Sequence, residues 1–195
     1  FPLLTYQELP DPATPSDKEW AAVTTTQVSW GTTDVRYAKH GLPRLKNQQT
    51  VALKGWRGER VNAQAVVWTG VELKDLNFSF GDFKDKKGNV LPQDAFTGGF
   101  VRYVMTDELN KDGRGACGHR KAVDYDSLLV ADPIDTSLKA MALPARTVQP
   151  VWVQCWIPQS AVPGTYKGEL LINDGSRLLQ RLNLEITVSS RELPA

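Results

Sequence analysis

The sequence predicts an all-β fold, a single antiparallel β-sandwich, on three observations. Between 151 and 188, apolar residues alternate with polar or aromatic ones at the two-residue period of a strand. Turn signals fall between the apolar runs: Trp30-Gly31, DKKGN at 85–89, Gly98-Gly99 and Asp112-Gly113. No stretch sustains the 3.6-residue period of a helix.

Residues 1–22 contain Pro2, Pro10, Pro12 and Pro15 and read as an extended, proline-rich lead-in. It holds at most a turn of helix near 16–20, which Ser16 is placed to cap. Residues 23–190 are expected to form the sandwich, with strands near 24–29, 50–53, 59–68, 71–80, 100–105, 151–157, 166–172 and 179–188. In the run at 151–157, Val151, Val153, Cys155 and Ile157 alternate with Trp152, Gln154 and Trp156, so one face is small and apolar and the other carries two indoles. Pro158 has no donor for a ladder and should end that run. Pro163-Gly164 reads as a type II turn in which Gly164 takes a positive φ. Tyr166, Gly168, Leu170 and Ile172 then alternate with Lys167, Glu169 and Leu171 up to a turn at Asn173-Asp174-Gly175. Leu182, Leu184, Ile186 and Val188, in phase against Arg181, Asn183, Glu185 and Thr187, give the cleanest half-buried strand. Only 111–147 lacks periodicity, and so long an excursion in a compact domain is more often functional or interface-forming than idle. Short strands of this number suit an Ig-like or jelly-roll-like sandwich.

Composition narrows the function. A chain of 195 residues buries roughly two-thirds to three-quarters of its unfolded surface and needs no disulfide or metal to fold. Basic and acidic residues number 23 and 22, with no long run of either sign, so nothing marks a nucleic-acid or membrane-surface partner. No segment approaches the roughly 18 apolar residues of a membrane span. The chain opens on Phe1 with neither an initiating methionine nor a signal peptide, as expected of a mature or trimmed chain whose targeting segment is out of view. Cys155, on the apolar face of its strand, reads as a small hydrophobe, and Cys117 stands in the loop GRGACGHR. A disulfide between them would need that loop to cross the start of the strand. Cys117-x-His119 has only His40 and Cys155 as further soft ligands and reads as a glycine-loosened loop, so no metal or cofactor is expected.

Four segments carry a family resemblance. They are SWGTTDVRYAK at 29–39 followed by Pro43, LKGWRGERVNAQAVVW at 53–68, VADPI at 130–134 and QPVWVQCWIPQSAVPGTYKGELLIN at 149–173. In that order they resemble the amino-terminal β-sandwich domain of glycoside hydrolase family 123-like enzymes, the N-acetyl-β-galactosaminidase type, over most of residues 28–190. WRGERVNAQ and the PGTYKG corner also recur in sandwich domains of several sugar-processing enzymes. The resemblance implies that a short linker, here 191–195 with Glu192-Leu193-Pro194, leads to a catalytic (β/α)8 barrel of the same polypeptide that holds an adjacent Asp-Glu pair and is absent from this sequence. Such enzymes are understood to cleave β-linked N-acetylgalactosaminides by substrate-assisted chemistry, the acetamido group attacking the anomeric carbon while one carboxylate orients it and another acts as general acid and base. This chain would then be a non-catalytic domain that supports the barrel and shapes its substrate cleft, in an enzyme exported to the periplasm, cell surface or exterior.

No residue of this chain is expected to be catalytic, so the chain alone is not an enzyme. Asp107-Glu108 stands in TDELNKDGRG, a turn-forming run, and Asp124, Asp126, Asp132 and Asp135 are also spaced as turn formers. His40 and His119 have no serine or cysteine at recognisable motif spacing, and no glycine-rich phosphate cradle is present. The candidate contact residues are Trp152, Trp156, Trp56 and Trp68, each also readable as core packing. As exposed platforms for glycans they would make the chain a carbohydrate-binding module. As one apolar patch near Trp156 and the carboxyl terminus they would make a barrel-facing surface. A cell-surface structural sandwich would use neither. The pleat predicts Trp152 and Trp156 on the outward face, one sheltered by 111–147 and the other in the barrel-facing patch.

Overall fold

The computed structural model describes residues 7–106 and 128–194. Among these residues, twelve strands form two packed sheets. The first sheet contains β1 (Thr26–Gly31), β3 (Arg60–Thr69), β10 (Thr147–Trp156), β7 (Phe96–Thr106) and β8 (Leu128–Asp135), side by side in that order and antiparallel throughout. The second contains β2 (Thr50–Arg57), β12 (Arg177–Glu192), β11 (Gly164–Asp174), β4 (Leu73–Phe80) and β9 (Ala140–Leu143), with β5 (Phe83–Lys84) paired to β11 and β6 (Val90–Leu91) to β5. Residues from both sheets meet in one core that includes Val151, Val153, Phe100, Leu170, Ile172, Leu184 and Ile186, all at most 1% exposed. Burial of side chains of this size stabilises by about 1.5–3 kcal/mol each, which makes this layer the main support of the fold.

The sandwich is therefore as the alternation predicts, with one departure: β2 runs parallel to β12, from Asn183 opposite Thr50 to Glu192 opposite Arg57. These strands are remote in sequence, so no hairpin imposes the antiparallel sense on them.

Two dipeptides expected as turns lie inside strands. Trp30 and Gly31 end β1, with Trp30 buried and its indole N–H donating to the Asn183 carbonyl at 2.9 Å. Gly98 and Gly99 belong to β7, opposite Val153 and Trp152. A Cβ on Gly99 would stand 2.7 Å from Ile134 Cγ2, so this glycine serves close approach instead of a bend. The Gly164 expectation is also corrected. Among the described residues, the glycines with positive φ are Gly58, Gly88 and Gly175, whereas Gly164 opens β11. The chain turns earlier, where the Ala161 N–H donates to the Pro158 carbonyl at 3.0 Å.

The weakly patterned segment 111–147 contains β8 and β9, each at the edge of a sheet, and edge strands tolerate Pro133; residues 111–127 lie outside the described residues. Pro150 sits within central β10, where it has no N–H to offer. Gln149 compensates from the side: its buried amide donates to the Val101 carbonyl on β7 at 2.8 Å.

The lead-in is tied to the outer face of the first sheet. Ser16 caps the short helix α1 (Asp17–Trp20), accepting from the Glu19 N–H at 3.4 Å. Trp20 is buried with Tyr37, Val66 and Val148, and its indole N–H donates to the His40 carbonyl at 2.8 Å. Further back, the Glu8 carboxylate meets Lys39 Nζ at 2.7 Å and Arg102 Nε at 2.9 Å.

Candidate functional site

The corner between β2 and β3, WRGER at 56–60, organises one end of the sandwich. In β2 the sheltered positions are Val51, Leu53, Gly55 and Arg57, and the exposed ones include Lys54 and Trp56. The pleat thus carries Arg57 in on the core parity while its neighbour Trp56 faces out. Gly58 makes the bend at φ 84°, and its N–H donates to the Ile157 carbonyl at 2.8 Å.

Arg57 binds three segments together. Its Nη2 lies 3.0 Å from the Glu192 carboxylate, its Nη1 donates to the Gln159 carbonyl at 3.3 Å, and its own carbonyl accepts from the Leu193 N–H at 2.9 Å. The end of β12 is thereby fixed against the corner and against the turn that follows β10. Bidentate guanidinium geometry makes arginine suited to such a clamp.

Two tryptophans flank the corner. Trp156, the last residue of β10, is 56% exposed, donates its indole N–H to the Gly58 carbonyl at 3.2 Å and has the Arg60 guanidinium carbon 4.7 Å from its ring centroid. Trp56 is 37% exposed, with the Arg191 guanidinium carbon 5.5 Å from its ring. Each lines its own groove. One, of about 580 Å³, is formed by Trp156, Gly58, Asp94, Ala95, Pro158 and Gln159. The other, of about 390 Å³, is formed by Trp56, Lys54, Gly55, Glu59 and Leu193.

The other two tryptophans of the candidate set lie elsewhere. Trp152 faces outward as the pleat requires but is partly buried against a cluster of Val101, Tyr103, Leu129 and Ala131, the last two from β8. Trp68 packs, partly buried, with Trp20, Tyr37 and Val148 beneath the lead-in. Val153, Cys155 and Ile157 are buried, so the phase of this strand is the expected one. Trp56 and Trp156 thus flank the same corner, each in its own groove, while Trp152 and Trp68 pack into two separate clusters. The arginines around them escaped sequence reading, although an arginine in phase with Val51, Leu53 and Gly55 is a signal for an inward clamp.

Among the described residues, little at this end or elsewhere resembles catalytic machinery. Cys155 is a free, buried thiol, and burial pushes its pKa up to about 12, the opposite of an activated nucleophile. His40 is engaged through Nδ1 with the Arg146 carbonyl at 3.0 Å and lies 3.6 Å from the Asp11 carboxylate. Asp132 pairs with Arg36 at 2.9 Å, and Asp135 accepts from Ser137 and Leu138 in a local turn. Among the described residues no group of three His, Cys, Asp or Glu is placed to hold a metal, and no helix is long and apolar enough to cross a membrane. Asp107, Glu108, Cys117, His119, Asp124 and Asp126 lie outside the described residues.

Comparison with known proteins gives a fold and a family. A family 123 glycoside hydrolase from Clostridium perfringens, studied for glycolipid glycan hydrolysis, superposes with a TM-score of 0.71 at 19% identity. The match covers 88% of this chain and 28% of that one, so this chain spans well under half of the enzyme's length. The ASH/PapD-like domain of human CEP192 superposes with a TM-score of 0.39 at 12% identity, covering 99% of this chain and 100% of that one. The Escherichia coli adhesive subunit CfaE does so with 0.37 at 13%, covering 86% and 49%. Among curated proteins none matches. The profile of the glycoside hydrolase 123 N-terminal domain matches residues 30–174, more than half of the chain. On that match the chain belongs to the glycoside hydrolase 123 N-terminal domain family.

Proposed function

We propose that this chain is the non-catalytic accessory domain of a glycoside hydrolase and that its corner at 56–60 is where a catalytic barrel of the same polypeptide rests. The observation that carries the reading is the clamp on the end of β12. Arg57 and Glu192, with the Leu193 N–H on the Arg57 carbonyl, hold the end of this strand beside Trp56 and Leu193, which are 37% and 36% exposed. A domain linked just beyond would begin against that apolar surface, and large apolar groups gathered at one place on a surface favour a partner. The same reading has the domain bordering the barrel's substrate cleft, and the enzyme exported.

The test uses a polypeptide in which this chain is followed by its catalytic domain. Trp56→Ala combined with Leu193→Asp should split a joint thermal unfolding transition into two, whereas a single unchanged transition would overturn the docking surface. This chain alone should not hydrolyse aryl N-acetyl-β-galactosaminides. Turnover abolished by Asp107→Asn with Glu108→Gln would reverse that conclusion. For export, cell fractionation of the parent organism is decisive, recovery in the cytoplasm being the contrary result.

A further inference from the structure

We infer that the groove beside Trp156 is a binding site for one neutral pyranose unit of a glycan. The inference deepens the accessory-domain reading, resting on it for the source of the glycan, but the chemistry belongs to the groove itself.

The indole of Trp156 is held twice, by its N–H on the Gly58 carbonyl at 3.2 Å and by the Arg60 guanidinium 4.7 Å from the ring centroid. An aromatic plane fixed in advance loses little rotamer freedom when a ligand arrives. It nevertheless remains 56% exposed beside a groove of about 580 Å³, a volume within the range of small-molecule sites. Pyranose rings present a patch of C–H bonds on one side and hydroxyls around the rim. The indole offers the apolar platform for the first. Asp94 and Gln159, which line the same groove, answer the second: a carboxylate accepts from hydroxyls or an acetamido N–H, and an amide both donates and accepts.

Charge selects among sugars. The groove sets the Asp94 carboxylate at its wall against the Arg60 guanidinium over the Trp156 ring, one charge of each sign, which suits a neutral unit, while a uronate lying against Asp94 meets like-charge repulsion. The outward face of the first sheet continues the polar surface. Gln154 lies two residues before Trp156 and across the ladder from Asn62 on one side and Thr97 on the other, and its amide donates to Asn62 Oδ1 at 3.0 Å. A second sugar unit would meet these groups.

The experiment titrates this chain with methyl β-galactopyranoside, N-acetylgalactosamine and galacturonate while following the Trp156 indole N–H resonance. The two neutral sugars should shift it saturably and galacturonate more weakly. Trp156→Ala, read by isothermal titration calorimetry, should weaken binding about tenfold or more, the factor of roughly 1.4 kcal/mol. Trp156→Phe, which keeps a platform, should retain part of the affinity, and Asp94→Asn should raise galacturonate toward the neutral sugars. Trp56→Ala should leave binding unchanged. Absence of any saturable shift, or binding that survives Trp156→Ala, would overturn the site. The docking test reads Trp56 and Leu193 in the two-domain polypeptide, so either idea can fail while the other stands.

Discussion

Arg60 and Trp156 face each other directly across the β3–β10 ladder, with the guanidinium carbon 4.7 Å from the indole centroid. The pair sits at the exposed end of both strands, so water screens it. Its removal should therefore cost little: Arg60→Ala is expected to destabilise the fold by about 0.5–1 kcal/mol, the range for exposed cation–π pairs. The same variant should change the Trp156 fluorescence by freeing one ring face. A urea midpoint lowered by several kcal/mol equivalents would mean that Arg60 has a structural role beyond the ring.

A larger effect is expected at Gly168. A Cβ there would stand 2.6 Å from Cγ and Cδ1 of Phe83, whose ring is itself stacked on Phe96 with centroids 4.0 Å apart. Phe83 cannot retreat, so Gly168→Ala should cost roughly 1–3 kcal/mol as overpacking. Gly164→Ala, at a position without positive φ and with only the Asp85 carboxylate at 3.2 Å to give way, should cost clearly less. Equal denaturation midpoints for the two variants would contradict this account.

The lead-in supplies a pH dependence. Burial alone would raise the pKa of Glu8, but its hydrogen bonds to Lys39 and Arg102 outweigh burial and hold it below the usual carboxylate value. Because the folded value is the lower one, the contribution of Glu8 to stability is complete above its unfolded pKa of about 4.3 and is lost as pH falls through the folded value. Glu8→Gln should cost roughly 1–3 kcal/mol at neutral pH. The difference from the wild type should close at acid pH. A difference that is independent of pH would show that the ionised form is not what matters.

Cys155 is expected to be inert. With its pKa near 12, it holds almost no thiolate at neutral pH, and its side chain faces the core. Peptide mapping after treatment with a thiol-specific disulfide reagent should find Cys155 unlabelled in the native protein and labelled in denaturant. Prompt native labelling would place that strand in the wrong phase.

Strand phase was the most legible part of this protein. Val153, Cys155 and Ile157 go in and Trp152 and Trp156 go out because pleating leaves a half-buried strand no alternative once one face is apolar. Glycine pairs were less legible, since Gly98-Gly99 looks the same whether the chain bends or a neighbouring ring presses on it. The edge strands β8 and β9 were hidden because each faces one neighbour, which leaves little burial to impose a period, and β9 has only four residues in which to show one. Of the candidate tryptophans, exposure was decided by partners distant in sequence: β8 shelters Trp152, and the lead-in with the loop after β1 shelters Trp68. The length of 111–147 foretold a cover for one tryptophan of that strand, but nothing local to Trp68 foretold its own.

The long strand β12 is held on both flanks as far as Val188, antiparallel to β11 and parallel to β2, and β2 alone holds it again at Glu192 opposite Arg57. A pull applied beyond Leu193 would load those hydrogen bonds along the strand axis, so that they resist together in shear instead of opening one after another like a zipper. On the accessory-domain reading, the domain would then serve as a mechanical anchor, able to carry tension from a barrel tethered beyond this strand without unravelling from that end.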